Sequence, residues 1–219
     1  MLPFDAHQFF EVFARYNSAV WHAPIALELA ALVAVILALR PRAWSDRVIR
    51  AILGGLWLWM GGIYHLGFFR PINPVATVFG ALFVLKGAFL LVIAGWRGRL
   101  HFAWTRTTPG TAGAALIAYA LVIYPILAHA LGHRFPATPT FGLPCPTTIL
   151  TLGLLLWAEP PRPWSVLVIP LAWSALGASA AVQLGVWEDL GLVAAGGLTF
   201  ALILLPRPAA NAAQSSINW

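Results

Sequence analysis

Charge is what this 219-residue chain has least of: Asp, Glu, Lys and Arg together make up only 9% of it. A soluble domain carries about a quarter. Cysteine is reduced to Cys145, which excludes an internal disulfide, and methionine to two residues. With so little polar surface, a soluble enzyme, a secreted disulfide scaffold, a nucleic-acid reader and a disordered chain are all excluded. What fills the space is apolar. Hydrophobic residues reach 60%, mean hydropathy is +0.82, and 11 Trp and 13 Phe are present.

The apolar residues fall in long continuous runs, as bilayer-crossing helices require, rather than in the short alternating runs of a membrane barrel. The pattern predicts an all-α, polytopic transmembrane bundle of about seven spans, near 19–39, 48–69, 75–96, 111–131, 144–158, 164–185 and 189–205. Six spans result if the short fifth run is re-entrant. Punctuating loops such as Arg70-Pro71-Ile72-Asn73-Pro74 and Glu159-Pro160-Pro161-Arg162-Pro163 separate them.

The formal charge of +6 sorts by side. Arg40, Arg42, Arg47, Arg50, Arg97, Arg99, Arg106, Arg162 and Arg207 fall on one side, and Arg15, Arg70 and Arg134 on the other. The positive-inside rule puts the first set in the cytoplasm, the N-terminus outside and the C-terminus inside. Residues 206–219 read as a disordered cytoplasmic tail. The first residues, with Asp5 and Glu11, lack the basic-then-apolar order of a signal peptide.

Before the first span, Asp5 and Gln8 have capping-box spacing, and Phe4 and Phe9 that of a hydrophobic staple. Residues 6–17 are therefore expected to form an amphipathic helix on the outer face, supported by a Glu11–Arg15 pair. A simple extension of span one is the alternative.

Ionisable groups at bilayer depth need partners or water. Glu28 and Lys86 fall at equal depth near the midplane, so an intramembrane ion pair is expected, either as a bolt between helices or as a gate, the alternative being no contact between them. His7, His22, His65, His129 and His133 lie on the outer half, and only His101 is cytoplasmic. His129 and His133 stand at i,i+4, a spacing that places two imidazoles on one helix face. With His65 and Cys145 they form a candidate transition-metal set, against the plainer reading of two solvated histidines. Gly54, Gly61 and Gly62 share the His65 side of span two, suited to close helix packing.

The segment Phe141-Gly142-Leu143-Pro144-Cys145-Pro146-Thr147-Thr148 reads as a broken-helix start, with Cys145 as N-cap and Pro146 as first helical residue. The helix that follows is too short to cross, so either the bilayer is pinched or its N-terminus starts below the outer surface, facing an anion or a Cys145 thiolate. An inert buried cysteine is the alternative.

Trp57-Leu58-Trp59-Met60-Gly61, Tyr64-His65, Phe68-Phe69, Ile72-Asn73-Pro74 and Phe79-Gly80, with Cys145-Pro146-Thr147-Thr148 and Thr151-Leu152-Gly153-Leu154, resemble a family of uncharacterised bacterial multi-pass membrane proteins catalogued as a domain of unknown function. The resemblance implies a polytopic bacterial inner-membrane protein and no activity.

From the residues themselves, the leading expectation is a carrier or binding protein with an outward-facing polar cavity. Its lining would be Tyr64, His65, Asn73, His129, Cys145 and Thr148, for a metal ion or small polar solute, with Glu28 and Lys86 as gating candidates. Two alternatives stay open. One is a membrane-embedded metal-dependent hydrolase using His65, His129 and His133 with Glu188 or Asp189 as base. The other is an accessory subunit of a larger complex, or a homo-oligomer.

Overall fold

The computed structural model describes residues 3–96 and 100–204. Arg97, Arg99 and Arg207, and the expected tail at 206–219, lie outside them. The described residues form helices, with no strand beyond isolated bridges. In chain order the helices are α1 (Ala6–Ala19), α2 (Ala23–Leu39), α3 (Ser45–Phe69), α4 (Ala76–Trp96), α5 (Thr108–Ala130), α6 (Pro144–Trp157), α7 (Trp164–Leu184) and α8 (Leu190–Leu204). Of the described helices, α3, α5 and α7 are long and apolar enough to cross a membrane, and α1 with α2 would make a fourth span if counted together. α1 and α2 are bent by 84° at their junction, so α1 is a separate helix and not an extension of α2.

Local chemistry sets these boundaries. The Asp5 side chain accepts from the Gln8 N–H and the Gln8 side chain from the Asp5 N–H, closing the expected capping box. Phe4 stacks on Phe9 at 5.9 Å, as a staple should. Glu11 faces His7 at 3.8 Å rather than Arg15. At α6, Leu143 is the N-cap and Pro144 the first helical residue, two residues earlier than the spacing of Cys145 and Pro146 suggested. Pro144 is itself preset for that position and lacks an N–H to satisfy, so the helix starts on the first proline able to start it.

α6 is the axis of the bundle. Every residue from Pro146 to Trp157 is buried, enclosed by α2, α5, α7 and α8. α3, α4, α7, α8 and α5 follow one another around it, with α2 packed on α3. A helix surrounded by protein need not span lipid, which accounts for its 14 residues. The approach between α3 and α4 is close enough that a Cβ on Gly61 would stand 2.6 Å from the Gly80 carbonyl oxygen, and one on Gly54 2.8 Å from Leu91. Gly62 meets nothing within 4 Å and takes no part, contrary to its expected place on this seam.

Each end of the bundle is laced by polar contacts. At one end Trp104 N–H donates to the Ala38 carbonyl, Ala103 N–H to Trp157 and Glu159 N–H to His101, while Asp46 accepts from Phe102 N–H and contacts the His101 imidazole at 2.8 Å. At the opposite end α1 packs on the last turns of α3 and pins the 135–143 loop. Buried Asn17 donates to the carbonyls of Pro136 (2.7 Å) and Thr138 (2.8 Å) and accepts from the Thr140 hydroxyl (2.7 Å).

Candidate functional site

Two helices loosen from α to π geometry at the α1 end, over Met60–Phe69 in α3 and Tyr119–Ile123 in α5. In α3 the widened turn runs from His65 C=O to Arg70 N–H. In α5 it immediately precedes Tyr124-Pro125, where the proline has no N–H to return to a carbonyl four residues back. Single-turn π segments gather at functional sites because they re-aim side chains. Here they aim Tyr64, His65 and Tyr124 at one point.

That point is a chamber of about 40 Å3, room for one or a few waters. Tyr64, His65 and Phe69 of α3 line it, with Tyr124 of α5, Leu143–Pro146 at the start of α6, Trp173 of α7 and Asp189 before α8. Phe9 and Phe13 of α1 and Pro139 of the pinned loop complete its wall. α1 is thus part of the chamber and not merely an appendage.

The polar groups inside are unevenly satisfied. The Tyr124 hydroxyl donates to the Asp189 carboxylate, and the partly buried Cys145 thiol lies against the same carboxyl. Asp189 therefore stands by the first turn of α6, where the helix dipole favours a negative charge. The expected anion-attracting helix start is already matched by an acid of the chain itself. His65 is wholly buried. Its Nδ1 is 2.9 Å from the Met60 carbonyl oxygen, which can only accept, so Nδ1 carries the proton and Nε2 is left as an acceptor. Nε2 has no protein partner. Phe83 (4.8 Å) and Trp173 (5.4 Å) meet the imidazole edge to face and hold its plane. The Trp173 indole N–H approaches the Cys145 sulfur without a directed hydrogen bond. Residues bearing an unmet acceptor and a poorly met donor thus line one small chamber with a carboxyl.

Of the residues singled out from sequence, Tyr64, His65 and Cys145 meet here, and Asp189 joins them. The others do not. Asn73 accepts from Val75 N–H and shapes the turn into α4. Thr148 is buried in the bundle and is not part of the chamber wall. His129 is exposed, 2.7 Å from the Arg134 guanidinium, and His133 pairs with buried Glu188 at 2.7 Å. Their i,i+4 relation is lost because α5 ends at Ala130 and Gly132 turns the chain at φ +93°. Among the described residues no group of three or more His, Cys, Asp or Glu is disposed to hold a metal ion, and His65, His129, His133 and Cys145 are not brought together.

The Glu28–Lys86 pair is also not formed. Lys86 Nζ donates to the Val166 carbonyl at 2.6 Å and lies 6.0 Å from the Phe89 ring. Equal depth fixed only one coordinate. α4 packs between α3 and α7, whereas α2 packs on α3 and α6, so the two side chains face different neighbours.

Tyr124, Trp173 and Asn17 were missed by sequence reasoning. Two signals were present: Pro125 inside an apolar run, and Trp173 in mid-helix, away from the interfacial places where tryptophan normally sits. Neither the curated proteins nor the solved structures contain a match. The model of the family of unknown function DUF6064 matches residues 6–214, α1 through α8, and the chain belongs to that family.

Proposed function

We propose that the chain is a multi-pass protein of the bacterial inner membrane in which α2 to α5, α7 and α8 each cross the bilayer and the shorter α6 runs through the interior of the bundle that they form. The chamber under α1 would face outward and bind a small hydrogen-bonding solute for passage or retention. The surface supports the membrane part of this reading. Ile25, Leu29, Val33 and Ile36 of α2, Val78, Leu82 and Leu85 of α4, and Val168, Leu176 and Val182 of α7 are exposed, an arrangement suited to lipid and costly in water. Exposed Trp21 and Trp187 at the chamber end, and Trp44, Trp104 and Trp164 at the other, fit the two aromatic belts of a bilayer protein. The arginine distribution supports an N-terminus on the outer side.

The observation that carries the binding reading is His65 Nε2, a fully buried acceptor without a partner, on a residue that lines the same chamber as Asp189. Leaving such a group unmet costs about 1–3 kcal/mol, so a site that keeps it is organised for something that donates to it. No Lys or Arg lines the chamber, and Asp189 does. The solute class is therefore neutral or cationic, N–H or O–H bearing, and a few heavy atoms at most. Ammonium and methylammonium are suitable probes, and chloride is the matched anion.

The test is uptake into proteoliposomes. Saturable methylammonium uptake is expected, with His65→Phe and Asp189→Asn each weakening it by about tenfold to a hundredfold, the scale of one hydrogen bond to a charged group. Failure of every neutral and cationic probe with the fully folded wild-type protein would overturn the reading, as would equal uptake of chloride.

A further inference from the structure

The ring of helices around α6 is splayed between α2 and α5. An apolar groove of about 390 Å3 opens there on the lipid-facing side, lined by Leu32, Val35 and Leu39, by Ile117 and Leu121, and floored by Trp157. Its one polar floor group, the Trp157 indole N–H, is already spent on the Gly110 carbonyl. From Leu32 to Leu39 the groove runs about 10 Å along α2, a good part of one leaflet's hydrocarbon depth.

The charges at its mouth determine what it would hold. Leu39 leads directly into exposed Arg40, and Trp104, which lines the groove, is followed by exposed Arg106. The Trp104 N–H to Ala38 carbonyl hydrogen bond fixes these two segments side by side at 3.1 Å, so both guanidiniums leave from the same rim. α5 begins at Thr108 on this rim and turns its positive dipole end toward it. The nearby acid Asp46 is occupied by His101 and Phe102 N–H. The mouth is therefore cationic and the trough apolar, in the order of a phospholipid read from headgroup to tail.

We propose that this groove is a site for an anionic phospholipid of the cytoplasmic leaflet, with one acyl chain along α2 and α5 and the headgroup phosphate between Arg40 and Arg106. Arginine suits the role because its planar fork grips phosphate oxygens in pairs. Basic rims between helices on the cytoplasmic side are a recurrent way to hold acidic headgroups. The site rests on the membrane reading but is independent of the chamber.

The experiment uses the full chain purified in a neutral detergent, with phosphatidylglycerol and phosphatidylcholine of identical chains added in competition and retained lipid read by native mass spectrometry. Phosphatidylglycerol should be retained in preference. The double variant R40Q/R106Q should lower that preference by about thirtyfold, two near-surface arginine contacts' worth. Filling the trough with Ala114→Phe should reduce retention of both lipids and leave the arginines untouched. Both changes sit at exposed or partly exposed positions, and matched melting curves confirm that each variant folds. Equal retention of the two lipids, an unchanged preference in R40Q/R106Q, or full retention in the Ala114→Phe variant would each overturn the proposal. A chain that stays soluble without detergent would instead overturn the membrane reading beneath it.

Discussion

Asn17 offers the sharpest test of how the chamber is closed. Among the described residues its side chain hydrogen-bonds α1 to the 135–143 loop, through two donated hydrogen bonds and one accepted. Asn17→Ala would leave the Pro136 and Thr138 carbonyls and the Thr140 hydroxyl without this partner. Those three residues are only partly buried, so water replaces some of what is lost. Taking the low end of about 1 kcal/mol for each unmade bond gives a weakening of the closed state of about 2–3 kcal/mol. If opening of α1 and the loop exposes the chamber, that weakening multiplies the open population by about 30- to 150-fold. Cys145 lines the chamber and is the chain's one cysteine, so an impermeant maleimide reports the opening without a cysteine-free background. The labelling rate of Cys145 in Asn17→Ala should rise by that factor at low reagent concentration, where opening and closing are fast relative to reaction. Asn17→Asp should do at least as much, because it removes both donors and sets a carboxylate against two carbonyl oxygens. A rise of less than about threefold in both variants corresponds to under 1 kcal/mol and would refute the view that Asn17 holds the chamber shut.

Two further outcomes probe the frame around it. Gly61→Ala places a methyl 2.6 Å from the Gly80 carbonyl oxygen and 2.8 Å from Val84 N, both backbone, so α3 and α4 must separate and stability should fall by about 1–3 kcal/mol; Gly62→Ala, with open space around it, should melt at or slightly above the wild-type temperature, and equal losses in the two would contradict the packing seam. At the other end, the hydrogen bond to Asp46 holds the His101 imidazolium above its ordinary value of 6.5, with desolvation opposing and the charges of Asp46 and Glu159 adding. A raised folded-state value means that the pair's stabilisation is fully present below pH 6.5 and is lost as pH rises through the raised value; the melting temperature of the wild type should therefore decline across that interval relative to H101Q, and parallel curves would exclude the coupling.

What the sequence disclosed and what it withheld divide along a physical line. Hydropathy and punctuation are one-dimensional, and so is position along a helix axis, which is why the α3, α5 and α7 runs, the Asp5–Gln8 cap and the Phe4–Phe9 staple were legible to within a few residues. Azimuth is not written along the chain. Glu28 and Lys86 were matched in depth and yet face different neighbours, because which side of α4 meets α7 depends on how all the helices pack. The same limit explains the histidines. The i,i+4 spacing of His129 and His133 presumes an unbroken helix, and Gly132 breaks it, sending one imidazole to solvent and the other to Glu188. Conversely Tyr64, His65 and Cys145 do converge, but through a device that spacing cannot register: two π segments that shift the register of α3 and α5. Their traces in sequence are indirect, a glycine pair before Tyr64 and a proline after Tyr124. Local departures from α geometry cost hydrogen-bond quality and are kept where they position something. Their coincidence at the chamber, on two different helices and beside an acceptor with no partner, favours a binding site over a packing accident more strongly than any single residue in it does.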